Sequence, residues 1–362
     1  MIPMVDLKTQ YHNLKAEIDA ALLDVLENTH FILGPNVQQF EQEAAEHLSV
    51  KHALSCASGT DALHLALLAA GIGEGDEVIT STFTFIATAE AIRYVGATPV
   101  FVDIDPKTFN LDPNLVERAI NKKTKAILPV HIFGQPADMD AIMALASKHN
   151  LIVIEDCAQS YGAKIKDRVT GGIGLAGCHS FFPSKNLGCY GDGGMVTTND
   201  DKIADQIRIY RNHGSSKRYH HDVIGYNSRL DEVQAAILRI KLRNIDDYNQ
   251  NRYAAAQKYS EAIKDVVTPP FEDKIGNHVY HQYTLLSSKR DAIMKKLQAA
   301  EIACAVYYPI PLHKQTVFAD DYKDTALPVS ERVASECMSL PIFPEITDQQ
   351  IESITTTIKS VF

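Results

Sequence analysis

Long apolar runs are missing from this chain. No segment approaches the ~20 apolar residues that a membrane-spanning helix requires. Met1-Ile-Pro-Met-Val-Asp-Leu7 gives way to charged residues instead of the apolar core of a secretory leader. Paired cysteines are missing as well. The six cysteines, Cys56, Cys157, Cys178, Cys189, Cys304 and Cys337, form no Cys-x-x-Cys pair, which argues against zinc and redox motifs. An excess of basic charge is also absent. Thirty-five Lys and Arg against 45 Asp and Glu give a net charge of −10 and a pI near 5.8. That balance disfavours nucleic acid or an anionic membrane as the main partner, while leaving room for a local cationic pocket. Histidines at metal-ligand spacing are lacking. Among His131, His213, His220, His221 and His313 only the adjacent pair 220–221 is close, and no i,i+4 pair with an acid occurs. No internal repeat or low-complexity stretch is present. These absences lead to the expectation of a cytoplasmic protein with no metal, no nucleic-acid partner and no membrane contact.

What is present is an alternation. Length of 362 residues and 45% hydrophobic content suit a large core and two lobes. Short Val/Ile/Leu runs near residues 52–56, 77–80, 99–102, 126–130, 151–155, 179–182 and 195–198 read as seven strands, most of them separated by helical segments. Continuous apolar strands alternating with helices imply a mostly parallel sheet covered on both faces. The stretch 1–12 reads as irregular, with a first helix over 13–28. Residues 229–263 read as one or two long helices. Beyond the break at Thr268-Pro-Pro270, strands at 282–286 and 303–308 and helices at 291–300 and 348–360 suggest a smaller α/β lobe. The division expected is 1–240 for the large domain and 241–362 for the small one.

The chemistry-bearing residues sit where strands of an open α/β sheet end, the usual place for ligands. Lys185 closes the apolar run Ser180-Phe-Phe-Pro and opens a loop containing Gly188, Gly191, Gly193 and Gly194. A partly desolvated lysine has a lowered pKa and can form a Schiff base. Ser58-Gly59-Thr60-Asp61 follows one strand and opens a helix, whose N-terminus favours an anion. Asp156 ends another strand, followed by the small Ala158 and the amide Gln159. An acid there commonly caps a helix. It can also pair with a protonated ring nitrogen. Gly172-Ile-Gly-Leu-Ala-Gly177 satisfies G-x-G-x-x-G, yet it neither follows a strand nor opens a helix, so it reads as a turn-rich hairpin and not a dinucleotide site. A lysine, an acid and a helix start at the ends of strands in one sheet are the parts that pyridoxal phosphate needs.

Ser58-Gly-Thr-Asp-Ala-Leu63, Asp76-Glu-Val-Ile-Thr80, Pro99-Val-Phe-Val-Asp103, Glu155-Asp-Cys-Ala-Gln-Ser160, Ser180-Phe-Phe-Pro-Ser-Lys-Asn-Leu187, Gly191-Asp-Gly-Gly194, Asn227-Ser-Arg-Leu-Asp231 and Tyr308-Pro-Ile-Pro311 together resemble the DegT/DnrJ/EryC1/StrS family of sugar aminotransferases, over about residues 5–358. The resemblance implies the fold-type I aminotransferase architecture, a pyridoxal 5'-phosphate cofactor and a homodimer with shared active sites. It implies that Lys185 forms the Schiff base and shuttles the proton, and that Asp156 keeps the pyridine nitrogen protonated. Gln159 would contact the ring hydroxyl, with Phe83 on one ring face and Ala158 on the other. Gly59, Thr60 and Ser180 would bind the phosphate, joined by Asn227 of the neighbouring subunit. Ser184 would lie beside the substrate. A lysine rather than a histidine at 185 favours transamination over the family's dehydratase branch.

Within the family, Arg218-Tyr-His-His221 and Tyr308-Pro-Ile-Pro-Leu312 are most similar to members acting on UDP-2-acetamido-2-deoxy-3-oxo-D-glucuronate in O-antigen (lipopolysaccharide) pathways. L-glutamate would then be the amino donor. Tyr307-Tyr308-Pro309 departs from the His-Tyr-Pro of many relatives, which bears on the sugar contacts. Arg229 is the candidate to grip a substrate carboxylate, because a guanidinium binds one bidentately; a role within its own helix is the alternative. The rival readings are transamination of a dTDP-3-keto-6-deoxyhexose or of a 4-keto sugar, and a non-catalytic regulator on the same fold.

Overall fold

Seven short runs, mostly buried on both faces and most of them rich in β-branched and aliphatic residues, pair into one sheet. The computed structural model describes residues 1–362. The strands are β1 (His52–Cys56), β2 (Glu77–Ser81), β3 (Thr98–Val102), β4 (Thr124–Leu128), β5 (Ile152–Asp156), β6 (Ala176–Ser180) and β7 (Gly194–Thr198). Their order is β1-β7-β6-β5-β4-β2-β3. β7 runs antiparallel to both of its neighbours, and every other pairing is parallel. Side chains alternate across the sheet. Val78 and Ile154 enter a core with Leu54, Val196 and the helix of residues 59–69 on one face, whereas Ile79 and Val153 enter a core with Ile127, Val116 and Ile142 on the other.

The helices follow their caps. α1 (Leu7–Asn28) starts earlier than expected, because the Asp6 carboxylate accepts from the Thr9 amide at 2.9 Å. Next come α2 (Pro35–His47), α3 (Gly59–Ala69), α4 (Ala87–Tyr94), α5 (Pro113–Ala119), α6 (Met139–His149) and α7 (Asp201–Tyr210). The stretch 229–263 becomes two helices, α8 (Glu232–Leu242) and α9 (Ile245–Ile263), separated at Arg243-Asn244.

In the C-terminal part β8 (Tyr283–Leu286) pairs antiparallel with β9 (Cys337–Leu340). The strand expected at 303–308 does not form. Only Ala305 bridges to Ser339, and Pro309 and Pro311 then carry the chain towards the large lobe. A helix over Pro328–Glu336 was not anticipated. Its first turn is held from the other lobe, where the buried Asp103 carboxylate accepts from the Val329 and Ser330 amides, each at 2.8 Å. The packing clusters assign Leu242 and Ile245 to the core of the large lobe, and Ala255, Tyr259 and Ile263 to a separate core with Tyr283 and Leu340. The N-terminus belongs with the latter, since Ile2 bridges to Ile302.

The Gly171–Gly177 turn has a specific task. Glu155 is fully buried, and its carboxylate accepts from the Gly171, Ile173 and Gly174 amides at 2.8–3.0 Å. His131 Nε2 lies 3.0 Å away, and its Nδ1 accepts from the Ala137 amide, so the imidazole donates to Glu155 through Nε2. Burial opposes the charge on Glu155, but His131 and the loop amides outweigh it and hold the carboxyl below its usual value. Glu155→Ala leaves these donors buried without an acceptor. It should cost about 3–5 kcal/mol, read as a lowered urea midpoint; a loss under ~1 kcal/mol contradicts this account.

Candidate active site

A cavity of about 580 Å³ opens beyond the carboxyl ends of the parallel strands, within the size range of small-molecule sites. Most of the candidate residues meet there: Gly59, Thr60, Asp156, Ala158, Gln159, Ser180, Ser184, Lys185, Tyr307 and Tyr308 all line it. Phe83, Asn227 and Arg229 do not.

Strand β5 delivers Asp156, which is 4% exposed. Thr88 Oγ1 donates to its Oδ2 at 2.8 Å and the Ala158 amide to its Oδ1 at 3.1 Å. Burial raises its pKa, while those two hydrogen bonds and the charge of Lys185 pull the other way. The strand β6 and the turn after it deliver Lys185, whose amide donates to Phe182 O at 2.8 Å. Desolvation pushes its ammonium down to about 8, with Asp156 opposing the shift. Asn186, next along, is buried and donates to Asn249 Oδ1 at 2.7 Å and to Val279 O at 2.9 Å, tying the lysine's turn to α9 and the C-terminal segment.

Helix α3 supplies the anion site. Ser58 caps it by accepting from the Asp61 amide at 3.1 Å, and the first helical bond runs from the Ala62 amide to Ser58 O. The Gly59 and Thr60 amides precede that bond and are left for a ligand. Glycine is required at 59, because a Cβ there would lie 2.6 Å from Ser180 Cβ. Gln159 is oriented by the protein: its Oε1 accepts from the Phe133 amide at 2.6 Å and its Nε2 donates to Tyr308 Oη at 3.0 Å. One amide hydrogen remains free. A buried acid, a desolvated lysine and open amides at a helix start form a donor set that fits pyridoxal phosphate.

Phe83 calls for a correction. It is fully buried, edge-on to Phe109, Phe133 and Tyr308 at 6.1 Å each, and so backs Tyr308 from behind the wall. Phe85 reaches the cavity in its place and is 56% exposed. Both would share one face of an extended strand; the bend over 82–84 separates them. Arg229 and Asn227 lie on the segment entering α8. Arg229 Nη1 donates to Asn212 Oδ1 at 3.4 Å, and its buried Nε has no partner. Asn227 bridges to Asn212. Phe182, within the Ser180–Leu187 motif, also lines the cavity, whereas sequence reading missed Thr88, His281 and Gln282, which line it and stand outside all of those motifs.

The profile of the DegT/DnrJ/EryC1/StrS aminotransferase family matches residues 12–359. The chain is 51% identical to the UDP-N-acetyl-3-dehydro-alpha-D-glucosamine 3-aminotransferase of Acidithiobacillus ferrooxidans, over 99% of this chain and 97% of that one. It is 47% identical to the UDP-2-acetamido-2-deoxy-3-oxo-D-glucuronate aminotransferase of Pseudomonas aeruginosa, over 98% of each. A pleiotropic regulatory protein of Geobacillus stearothermophilus is 51% identical, over 96% and 95%. Among solved structures, S. venezuelae DesV superposes with a TM-score of 0.97 at 41% identity, covering 99% and 98%. NtdA of Bacillus subtilis, with bound cofactor PMP, superposes with 0.91 at 31% identity, covering 96% and 82%.

The balance at Lys185 is testable on cofactor-free protein. Labelling of Lys185 by an amine-directed reagent, followed by mass spectrometry, should rise through a midpoint near pH 8, against about 10.4 for a free lysine. Asp156→Asn removes the charge that holds the proton on, so the midpoint should fall further. An upward shift contradicts the assignment.

Proposed function

This chain belongs to the DegT/DnrJ/EryC1/StrS aminotransferase family, and from that premise we propose that it moves an amino group from L-glutamate to UDP-2-acetamido-2-deoxy-3-oxo-D-glucuronate. It is a pyridoxal-phosphate-dependent transaminase acting on a nucleotide-linked sugar. The meeting of Lys185, Asp156 and the α3 start in one cavity supports transamination, and the 47% identity to the Pseudomonas aminotransferase supports the choice of sugar.

When bound, the cofactor supplies an electron sink for the electron pair left as a carbon–hydrogen bond breaks. The chain's residues do the rest. Lys185 is the only amine lining the cavity, and with its pKa near 8 an appreciable fraction is uncharged at neutral pH. Its Nζ would take the proton from the amine-bearing carbon of the donor and, in the other half-reaction, deliver a proton to the sugar carbon that receives the amine. Asp156, fixed by Thr88 and Ala158, would hold a proton on the ring nitrogen. Gly59, Thr60 and Ser180 would hold the phosphate, and the free amide hydrogen of Gln159 would reach the ring hydroxyl. Ala158 and Phe85 would flank the ring. Ser184 would sit beside the substrate, with Tyr307 and Tyr308 walling its sugar side.

Asn227 is not part of its own chain's cavity lining, and we assign it to the phosphate of a neighbouring subunit in a homodimer. Arg229, two residues on and with Nε unpartnered, would arrive at the same neighbouring site and meet the uronate carboxylate. The cavity lining of a single chain contains no guanidinium of its own. The lobes would divide as 1–240 and 241–362. A cytoplasmic setting suits the soluble nucleotide sugar, and a 3-amino uronic sugar suits O-antigen assembly; no helix is long and apolar enough to cross a membrane.

A second reading, of the neutral 3-oxo sugar, draws on the Acidithiobacillus relative. The regulator reading draws on the Geobacillus relative, but the assembled Lys185, Asp156 and Thr60 favour turnover. Incubating the enzyme with 2-oxoglutarate and a panel of UDP- and dTDP-linked 3-amino and 4-amino sugars, and following the cofactor's absorbance, tests the substrate directly. The UDP-linked 3-amino uronic sugar should react fastest. Arg229→Ala should lower kcat/KM for it at least about tenfold, since a charged hydrogen bond contributes about 1.5–3 kcal/mol, and should spare the neutral sugar. Equal rates on both sugars in the variant and in the parent enzyme exclude the proposed role of Arg229.

A further inference from the structure

Three of the six buried histidines are committed to the protein. Both ring nitrogens of His131 are used, by Glu155 and Ala137. Those of His313 are used by Thr82 and Glu331. His278 Nδ1 accepts from the Tyr280 amide, and its ring stacks on Tyr280 at 3.8 Å. His64 and His179 each keep one ring nitrogen without a partner but lie outside the cavity, and His281 differs from them in lining it. It is the only histidine lining the cavity, it is 4% exposed, and the protein gives its Nδ1 no partner. Neither ring nitrogen is hydrogen-bonded by the protein, and since Nδ1 is enclosed, Nε2 is the polar atom that a ligand in the cavity can reach.

The position of His281 is over-determined. The Val279 amide donates to Gly134 O at 3.0 Å and the Gln282 amide to Phe133 O at 3.3 Å. Gly134 has φ of +101°, and a Cβ there would come within 2.9 Å of the His281 nitrogen. Arg252 Nη1 donates to Tyr280 O at 3.4 Å, and Asn186 grips Val279 O, so the segment is tied to the residue beside Lys185. Burial, and then the charges of Lys185 and Arg252, hold the imidazole well below its ordinary pKa. The ring is therefore neutral, with one donor and one acceptor. Such a group suits a hydroxyl or carbonyl oxygen. It is a poor grip for a carboxylate, which would be served by a cation.

We propose that His281 contacts the substrate, hydrogen-bonding a hydroxyl or carbonyl oxygen of the keto-sugar beside Lys185, and so serves the sugar half-reaction and not the amino-acid half-reaction. This rests on the nucleotide-sugar reading above. His281→Leu keeps the bulk and removes both polar atoms; His281→Gln restores a donor and an acceptor. With the holoenzyme, calorimetry of UDP-N-acetylglucosamine, a non-reacting probe, should show about tenfold weaker binding in His281→Leu and recovery to within about threefold in His281→Gln, a tenfold change being one hydrogen bond's worth. Binding of UDP alone should not change. Single-turnover absorbance should show the glutamate half-reaction within about twofold of the parent enzyme and the keto-sugar half-reaction slowed at least about tenfold. Equal slowing of both half-reactions, or unchanged affinity for UDP-N-acetylglucosamine in His281→Leu, overturns the proposal. Should His281→Leu lose the cofactor's absorbance, His281→Gln decides: a tenfold loss of probe affinity there overturns it, and retained affinity upholds it. A parent enzyme that reacts with glutamate but neither binds the probe nor aminates any nucleotide sugar overturns the substrate reading itself, and this inference with it.

Discussion

Two adjacent carboxylates at the end of β5 must be buried on opposite faces of the sheet, and the site depends on how differently they are treated. Strand alternation sends Glu155 one way and Asp156 the other. Glu155 receives three loop amides and an imidazole, so its charge is satisfied by protein alone. Asp156 receives one hydroxyl and one amide. A carboxylate has about four lone-pair sites, so acceptor capacity remains on the cavity side. That asymmetry makes one acid structural and leaves its neighbour with acceptor capacity for a ligand. The glycine-rich turn at 171–177 exists for the first purpose, which is why it mimics a nucleotide fingerprint without the strand–helix context of one.

The cofactor side and the sugar side of the cavity come from different parts of the chain. Asp156, Lys185 and the α3 start belong to the sheet, where strand ends fix them. Tyr307, Tyr308, His281 and Gln282 come from the C-terminal part. The two share an apolar cluster, in which Phe83, Phe109 and Phe133 meet Leu286, Val333 and Cys337, and polar ties are added to it. Asn186 bonds to Asn249 of α9, and the Leu312 amide donates to Thr82 O at 2.8 Å. His313 bonds to Thr82 and to Glu331, and Asp103 caps the Pro328–Glu336 helix. Such ties impose distances and directions, as hydrophobic contact does not. On the proposed reading, substitutions at 307–308 change the sugar side while the hydrogen bonds of Asp156 to Thr88 and Ala158 stay in place.

Legibility in the sequence followed the reach of the forces involved. Strands of the large sheet were readable because burial on both faces leaves a continuous apolar run. Lys185, Asp156 and Gly59 were readable because strand ends and helix starts confine where chemistry can occur. Phe83 and Phe85 were not separable, since the bend between them is set by Thr82 docking against His313, 231 residues away. The strand expected at 303–308 was an apolar run that the prolines and a single bridge to Ser339 turned into cavity wall. Thr88 looks like an ordinary helix residue until α4 is packed on the sheet and its hydroxyl meets Asp156. His281 gives no sign of its position, because the Phe133-Gly134 turn that holds it is distant in sequence.

Charge in the cavity is the last constraint on what can bind. Lys185 and Asp156 attract each other, yet desolvation wins at both: it lowers the lysine and raises the acid. Burial thus weakens the charged form of both members of the pair, and for the lysine this enlarges the uncharged fraction that can accept a proton. A cationic ring nitrogen beside Asp156 would restore its charge, and that charge in turn favours the protonated lysine. The amino donor and the phosphate both bring negative charge to a lining that holds one lysine, Asp156 and Asp192. Electroneutrality then has to come from the helix start, the ring nitrogen and cations outside this lining. A neighbouring subunit is the natural source of such cations, and this is the physical reason that a site with so few positive groups of its own is expected to be completed by a second copy of the chain.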